Sequence, residues 1–408
     1  MSNNSYANRP EFSFTIEKQV GLARVGTIHT PHGDIPTPAF VAAATLGDVK
    51  GLTWQQLDEL GSDAALANTY HLILQPGTDL LARASGLNNF TGHTKPTFTD
   101  SGGFQIFSLP EVKITNNGAT FRSHLDGHEL TITPESSMQA QWQIGADIHM
   151  AFDQLAASNS REDMQIAMER THAWAERCLR EQAALYSHYI TLMPKSQVFT
   201  ASPLSNQPKI PPYQALFGVV QGGKFLDLRR KSAKTLAEME VSGQVFDGFG
   251  IGGVFTADGM DTMLQLVNQI LPSRRPRHLL GMGAEPRDLF IGAEFGCDTF
   301  DCVAPTRQAR NGALYTRDGR INIKNAKYRH DFSPIDPECN CYTCQHHSKA
   351  YLAHLFHAHE LTAGVLASIH NEYFVVNLTK QIRESLLDDT FQTFKRDYLT
   401  RYYAKNML

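Results

Sequence analysis

Short apolar segments and helical stripes alternate through most of this chain, and that alternation limits the folds open to it. Candidate strands lie at 35–42, 65–69, 96–99, 148–152, 216–220, 245–249, 278–280 and 299–300. Between them, Met164, Ala167, Met168, Thr171, Ala175, Cys178 and Leu179 make one stripe over 161–185. Leu228, Ser232, Leu236 and Met239 make another after Gly223. Strands that alternate with helices pair in parallel, because each crossover helix returns the chain to the same end of the sheet. About eight such units in 408 residues predict a (β/α)8 barrel, an α/β fold, rather than an open doubly wound sheet.

Two stretches interrupt the alternation. Residues 111–133 carry Asn116-Asn117-Gly118 and Asp126-Gly127 between alternating apolar positions, the signature of inserted hairpins. Residues 189–213 are rich in Pro, Ser and Gln with little periodicity, and read as a flexible inserted loop. Near the C-terminus, Cys339, Cys341 and Cys344 crowd into C-x-C-x-x-C. Three thiolates and one imidazole suit a closed tetrahedral zinc site of the structural kind. His370 follows after a helix-length gap, and His346, His347, His354, His357 and His359 compete with it for the fourth position. Leu352, Leu355, Phe356 and His359 form one helical stripe there, and Phe374, Val375, Leu378 and Ile382 another. The expected division is a barrel over 12–330 and a zinc-binding helical subdomain over 331–408.

Hydrophobic residues make up 42% and charged residues 19%, enough for a full core. No apolar run reaches the roughly 18 residues that a membrane span needs. The N-terminal MSNNSYANRPEFSF lacks the charged head and apolar core of a secretory signal, so the expected compartment is the cytoplasm. Six cysteines, three of them in one short segment, favour metal over a disulfide framework. A net charge of −4 exerts no global pull on nucleic acid. Locally, Arg307, Arg310, Arg317, Arg320, Lys324, Lys327 and Arg329 are set against Asp318 alone, a patch able to neutralise phosphates. A solvated surface is the plainer reading of the same residues.

Polar residues recur where the candidate strands end. Asp100 follows PTFT, Asp153 follows IHMAF, Gln221 follows LFGVV, Gly252-Gly253 follow FGI, Gly281 comes just after HLL, and Asp301 follows DTF. In a parallel barrel these ends share one mouth, where active sites are built. Each residue also has a plain structural use, since an aspartate after a strand caps a helix and a glycine pair makes a tight turn. Gly248-x-Gly250-x-x-Gly253 matches a dinucleotide fingerprint in form only, because no acidic residue about twenty positions on would hold a ribose. G-x-S-x-G, the Walker A pattern and H-E-x-x-H are all missing.

TDSGGFQIFSL (99–109), VVQGG (219–223), GIGGV (250–254), FDCVAPTRQARNG (300–312) and the C-x-C-x-x-C…H set, in this order, resemble the tRNA-guanine transglycosylases over about residues 12–403. The resemblance implies a (β/α)8 barrel with a zinc subdomain. It implies exchange of the wobble guanine in tRNAs with a U-G-U anticodon core for a 7-deazaguanine on the way to queuosine. Bacterial members insert 7-aminomethyl-7-deazaguanine and eukaryotic members insert queuine. Carried over by residue, Asp301 looks like the nucleophile and Asp100 like the general acid/base. Asp153 would accept hydrogen bonds from the guanine N1–H and amino group, while Gln221 and the Gly253 N–H would donate to O6. Phe104 and Leu280 would pack on the two faces of the base. Arg307 and Arg310, with Lys324 and Lys327, would hold anticodon-loop phosphates. Zinc would sit on Cys339, Cys341, Cys344 and His370. A homodimer is the oligomeric state the resemblance implies.

The chain departs from the usual bacterial pattern around the base pocket. Phe104 stands where Tyr is usual, Gln154-Leu155 where Glu-Cys is usual, Val254 for Leu and Leu280 for Met, and Thr256 and Asp258 for Val and Glu. Phe at the stacking position and an apolar residue two after Asp153 also occur in eukaryotic-type members. The aminomethyl base is favoured, with a queuine-specific salvage enzyme as the alternative. A non-catalytic, zinc-stabilised tRNA-binding subunit is a further reading, against which both Asp100 and Asp301 are retained.

Overall fold

The computed structural model describes residues 11–192, 213–252 and 259–404. Eight parallel strands close a barrel in chain order: Ala39–Ala43, Ala65–Asn68, Thr97–Asp100, Ile148–Met150, Ala215–Val220, Gly248–Ile251, Arg277–Leu279 and Thr299–Cys302. The eighth pairs with the first, from Thr299 opposite Ala39 to Cys302 opposite Ala42, and so seals the ring. The first and fifth strands are buried at every position, as strands covered on both faces must be. The expected strand at 35–42 is in fact two. Gly33–Thr37 pairs antiparallel with Ala23–Thr30, and the barrel strand begins only at Ala39, past Pro38, which has no N–H to give a ladder.

Below the barrel, Ser13–Val20, Ala23–Thr30 and Gly33–Thr37 form a three-stranded antiparallel sheet that stoppers the lower end. Its Ile28 and Ile35, with Phe12, join Val41, Leu66, Phe98, Ile148 and Phe217 in one apolar cluster. The lower rim repeats one device. Asp147, Asp247 and Asp298 stand immediately before the fourth, sixth and eighth strands. Each carboxylate accepts a backbone N–H from the start of the preceding strand: Thr97 at 2.8 Å, Leu216 at 2.9 Å and Arg277 at 2.7 Å. Each takes a side-chain donor as well, His32 Nδ1 at 2.9 Å, the Tyr213 hydroxyl at 2.7 Å and Arg24 Nε at 3.0 Å.

The inserted hairpins appear as Lys113–Ile114, Ala119–Arg122 and Glu129–Ile132, one antiparallel sheet after the third strand. The helix Arg161–Leu192 runs beyond the sequence stripe, so the backbone of 189–192 continues it rather than starting a loop. The rest of the expected loop, 193–212, lies outside the described residues. After the eighth strand come the helix Ala304–Arg310, a ribbon of Ala313–Leu314 with Ile321–Asn322, and the helices Tyr342–His346 and Lys349–His357. His359, counted into one helical stripe with Leu352, Leu355 and Phe356, falls past the helix end at φ +57°.

The long helix Leu361–Leu387 then returns to the barrel. Ile369 packs with Ala42, Val49, Leu52 and Ala65. Farther along, Lys380 Nζ donates to the Gly61 carbonyl at 2.5 Å, and Arg383 donates to those of Gly26 (2.9 Å) and Thr37 (2.7 Å). The metal-binding region is thus an excursion between the eighth strand and the helix that covers it. Among the described residues no helix is long and apolar enough to cross a membrane.

Candidate active site and metal centre

The third strand ends in Asp100, and the Ser101-Gly102-Gly103 turn after it is sterically demanding. Gly102 has φ +79°, where an L side chain is strained. A Cβ on Gly103 would meet the Asp153 carbonyl oxygen at 2.7 Å. Asp100 Oδ1 accepts the N–H groups of Thr69 and Gly102, both at 3.1 Å, and Oδ2 accepts Asn68 Nδ2 at 2.5 Å. The Asn68 amide is itself oriented, because its Oδ1 caps the next helix by accepting the His71 N–H at 3.0 Å. Burial pushes the Asp100 carboxyl up to about 7, against the pull of these donors, and the nearby Asp301 charge pushes it further.

Asp153 follows the fourth strand in the same mouth. Its Oδ1 accepts the Ser101 hydroxyl at 2.9 Å and its Oδ2 accepts Gln221 Nε2 at 2.7 Å. Ser101 Oγ in turn accepts the Gly103 N–H at 3.2 Å, which fixes the hydroxyl rotor. Gln221 is buried, and its own N–H donates to Ser232 Oγ at 3.1 Å. Burial also raises the Asp153 carboxyl above the ordinary range.

Asp301 lies on the eighth strand with 13% of its side chain exposed. Oδ1 accepts the Gly281 N–H at 2.8 Å and faces His278 Nε2 at 3.1 Å. Oδ2 has no hydrogen-bond partner among the described residues. One carboxylate with an open oxygen therefore stands near a second carboxyl that titrates close to neutrality. That pairing can attack an electrophilic carbon with one group and move a proton with the other.

The remaining expected residues divide. Phe104, on the short helix Gly103–Phe107, is 64% exposed, a free ring at the mouth. Leu280 is half-buried at the end of the seventh strand, its side chain over Gly250 and Gly252. Gly253, Val254, Thr256 and Asp258 lie outside the described residues. Arg307 and Arg310 are exposed on the helix that starts just after Asp301. Lys324 and Lys327 are exposed too, over the rings of Phe356 (5.7 Å) and Tyr328 (5.0 Å). The cationic patch is narrower than its sequence count, because Arg317 pairs with Glu338 at 2.7 Å and Arg320 with Glu285 at 3.0 Å.

The C-x-C-x-x-C segment and the long helix meet as expected. Ligand atoms of Cys339, Cys341, Cys344 and His370 all lie within 4.8 Å of one another, and all four residues are buried. His370 Nδ1 is 3.7, 3.4 and 3.3 Å from the three sulfurs in that order. These edges match a tetrahedron with metal–sulfur bonds of about 2.3 Å. The Tyr315 carbonyl, 2.7 Å from His370 Nε2, keeps the proton on that nitrogen and leaves Nδ1 to a metal. The donor set fits a structural zinc site. Of the competing histidines, His346, His354, His357 and His359 are exposed and His347 is half-buried.

Asn68, Ser101 and His278 were not singled out from the sequence. Asn68 ends the second strand as Asp100 ends the third, so the strand-end rule extends to it. Ser101 sits inside the SGG turn, where a small residue reads as turn chemistry. His278 lies within an all-buried strand, where no alternation marks which side chains face inward.

Comparison with known proteins follows the geometry. Residues 19–404 match the model of the family described as queuine tRNA-ribosyltransferase. A protein of that name from Herpetosiphon aurantiacus is 43% identical over 396 residues, covering 96% of this chain and 93% of its own. One from Bacillus licheniformis is 42% identical over 390 residues, 94% of each chain. A third, from Lactococcus lactis, is 43% identical over 392 residues, 95% of this chain and 94% of its own.

Proposed function

Since the chain belongs to the queuine tRNA-ribosyltransferase family, we propose that it is a tRNA-guanine transglycosylase of queuosine biosynthesis. It exchanges the wobble guanine of tRNAs with a U-G-U anticodon core for a 7-deazaguanine. The observation that carries the catalytic reading is the carboxyl pair, Asp301 with an open Oδ2 and Asp100 raised by burial to about 7. Asp301 Oδ2 attacks the ribose anomeric carbon, the glycosidic bond breaks, and the guanine leaves with its bonding electrons and a proton from Asp100. The sugar remains as an ester of Asp301. The incoming base loses a proton to Asp100, attacks the same carbon and releases the carboxylate. Atoms and charge balance without ATP.

The target base must leave its stack to reach the mouth. Asp153 then reads the guanine N1–H and amino group, Gln221 and the Gly253 N–H read O6, and Phe104 and Leu280 cover the two faces. Adenine would leave these buried polar groups unpaired. Arg307, Arg310, Lys324 and Lys327 take the anticodon-loop phosphates. Zinc at the cysteine cluster shapes the neighbouring surface and stays out of the chemistry. The incoming base favoured is 7-aminomethyl-7-deazaguanine. A homodimer, a cytoplasmic location and a chain division at 330/331 belong to the same reading. Light scattering, cell fractionation and limited proteolysis test these in turn.

The decisive assay is displacement of labelled guanine from such a tRNA, with the aminomethyl base and queuine run side by side. Release by the aminomethyl base alone is the expected result. Release by queuine alone makes this a salvage enzyme and gives Leu155 a role in the pocket. Binding of tRNA without release by either identifies a non-catalytic subunit.

A further inference from the structure

We propose that His278 is a positioning residue that selects which oxygen of Asp301 attacks, and that Thr299 sets the tautomer in which it does so. The inference rests on Asp301 being the nucleophile. His278 is fully buried, with Nε2 3.1 Å from Asp301 Oδ1 and Nδ1 2.8 Å from Thr299 Oγ1. Facing a carboxylate oxygen, Nε2 carries the proton and donates, and Nδ1 accepts the Thr299 hydroxyl proton. The opposite tautomer would aim a lone pair at Oδ1.

The three residues are placed by strand register alone. His278 lies directly opposite Thr299 on the neighbouring strand, and Asp301 is two residues on from Thr299, on the same face of its strand. The Phe98 ring, 5.3 Å away, limits the room for the imidazole to turn. With the Gly281 N–H also on Oδ1, that oxygen is saturated. The carboxylate cannot rotate without losing two donors, and Oδ2 alone is presented to the sugar. Holding a nucleophile within about an ångström of its line of attack is worth about 10²-fold in rate.

The test measures single-turnover formation of the denaturant-stable tRNA–enzyme ester, and steady-state KM for the incoming base, for five variants. Melting curves confirm that each is folded. Asp301→Asn forms no ester if the underlying reading holds; an ester in that variant overturns the reading itself. His278→Leu slows ester formation about 10²-fold with KM for the base unchanged. His278→Gln keeps an N–H donor and recovers most of the rate. Thr299→Val, which leaves His278 in place without its tautomer lock, loses about tenfold, and Thr299→Ser restores it. The proposal is overturned if folded His278→Leu reacts at the wild-type rate, or if His278→Gln is as slow as His278→Leu. It is also overturned if Thr299→Val matches Thr299→Ser. If His278→Leu does not fold, the two Thr299 variants and His278→Gln decide.

Discussion

The barrel carries aspartates at both ends of its strands and uses them in opposite ways. At the lower rim, Asp147, Asp247 and Asp298 precede their strands, and each binds a backbone N–H together with a side-chain donor. These carboxylates join neighbouring strands and are closed to any ligand. At the upper rim, Asp100 ends its strand, Asp153 follows the fourth and Asp301 lies one residue short of the end of the eighth, and their partners orient them for something else. Asp301 keeps one oxygen without a partner among the described residues, and Asp153 is held by two donors that a base edge can share. The donors on Asp100 are outweighed by burial. One residue type therefore fastens the barrel or arms it, according to the rim on which it stands and to whether its donors tie strand to strand or come from the turns of the mouth.

Exchanging the charge at each rim in turn gives the widest separation. Asp301→Asn should lower guanine exchange by about 10⁴-fold or more while the melting temperature stays near wild type. Asp298→Asn should do the reverse. Arg24 is 1% exposed and would be left with an uncompensated charge, a loss of roughly 3–5 kcal/mol in urea unfolding, with kcat per folded molecule retained. If Asp298→Asn proved catalytically dead yet stable, the division between the rims would fail.

A smaller effect comes from pH. In the proposed mechanism ester formation needs Asp100 protonated, so its single-turnover rate should fall about tenfold per pH unit above about 7. Release by the incoming base needs Asp100 ionised and should fall on the acid side instead. The same carboxyl acts on stability in a fixed direction. Its folded-state pKa is raised from 3.8 to about 7, so the stability it contributes is complete below 3.8 and is lost as pH rises through that window. Asp100→Asn should therefore gain on wild type in thermal melts between those limits and keep a constant offset outside them. The smallest expected change is Ser101→Ala. It removes one donor from Asp153 and should raise KM for the base by the equivalent of about 1 kcal/mol, with kcat unchanged.

The upper rim was largely legible in the sequence and the lower rim was not. Asp100, Asp153 and Asp301 stand at strand ends beside glycines and amides, in a pattern that a shared mouth explains. Asp147, Asp247 and Asp298 also flank strands, but nothing local says that Asp147 reaches back to Thr97 or Asp298 to Arg24. Those contacts join residues 50 and 274 positions apart in the chain. The 245–249 segment was read as a strand from its apolar residues, and pairing begins only at Gly248, after Asp247 has turned to the Leu216 N–H. The eight-strand count survived such shifts, because strand–helix alternation is a property of whole segments. His278 stayed hidden because it is polar inside a buried strand, where its use depends on the residue opposite.

The helix Leu361–Leu387 places a constraint on the order of events during synthesis. The ribosome releases all eight strands before it, so the ring can pair while the outer apolar surface around Ala42, Val49 and Leu52 is still bare. The helix then covers that face, with Arg383 clamping the stopper sheet and Lys380 holding the Gly61 carbonyl. Contacts between residues more than three hundred positions apart are slow to form, and exposed apolar surface invites aggregation in the interval. The cover of the barrel at Ala42, Val49 and Leu52 is thus deferred to a helix made after all eight strands, and a transcript cut short before residue 361 encodes a barrel without it.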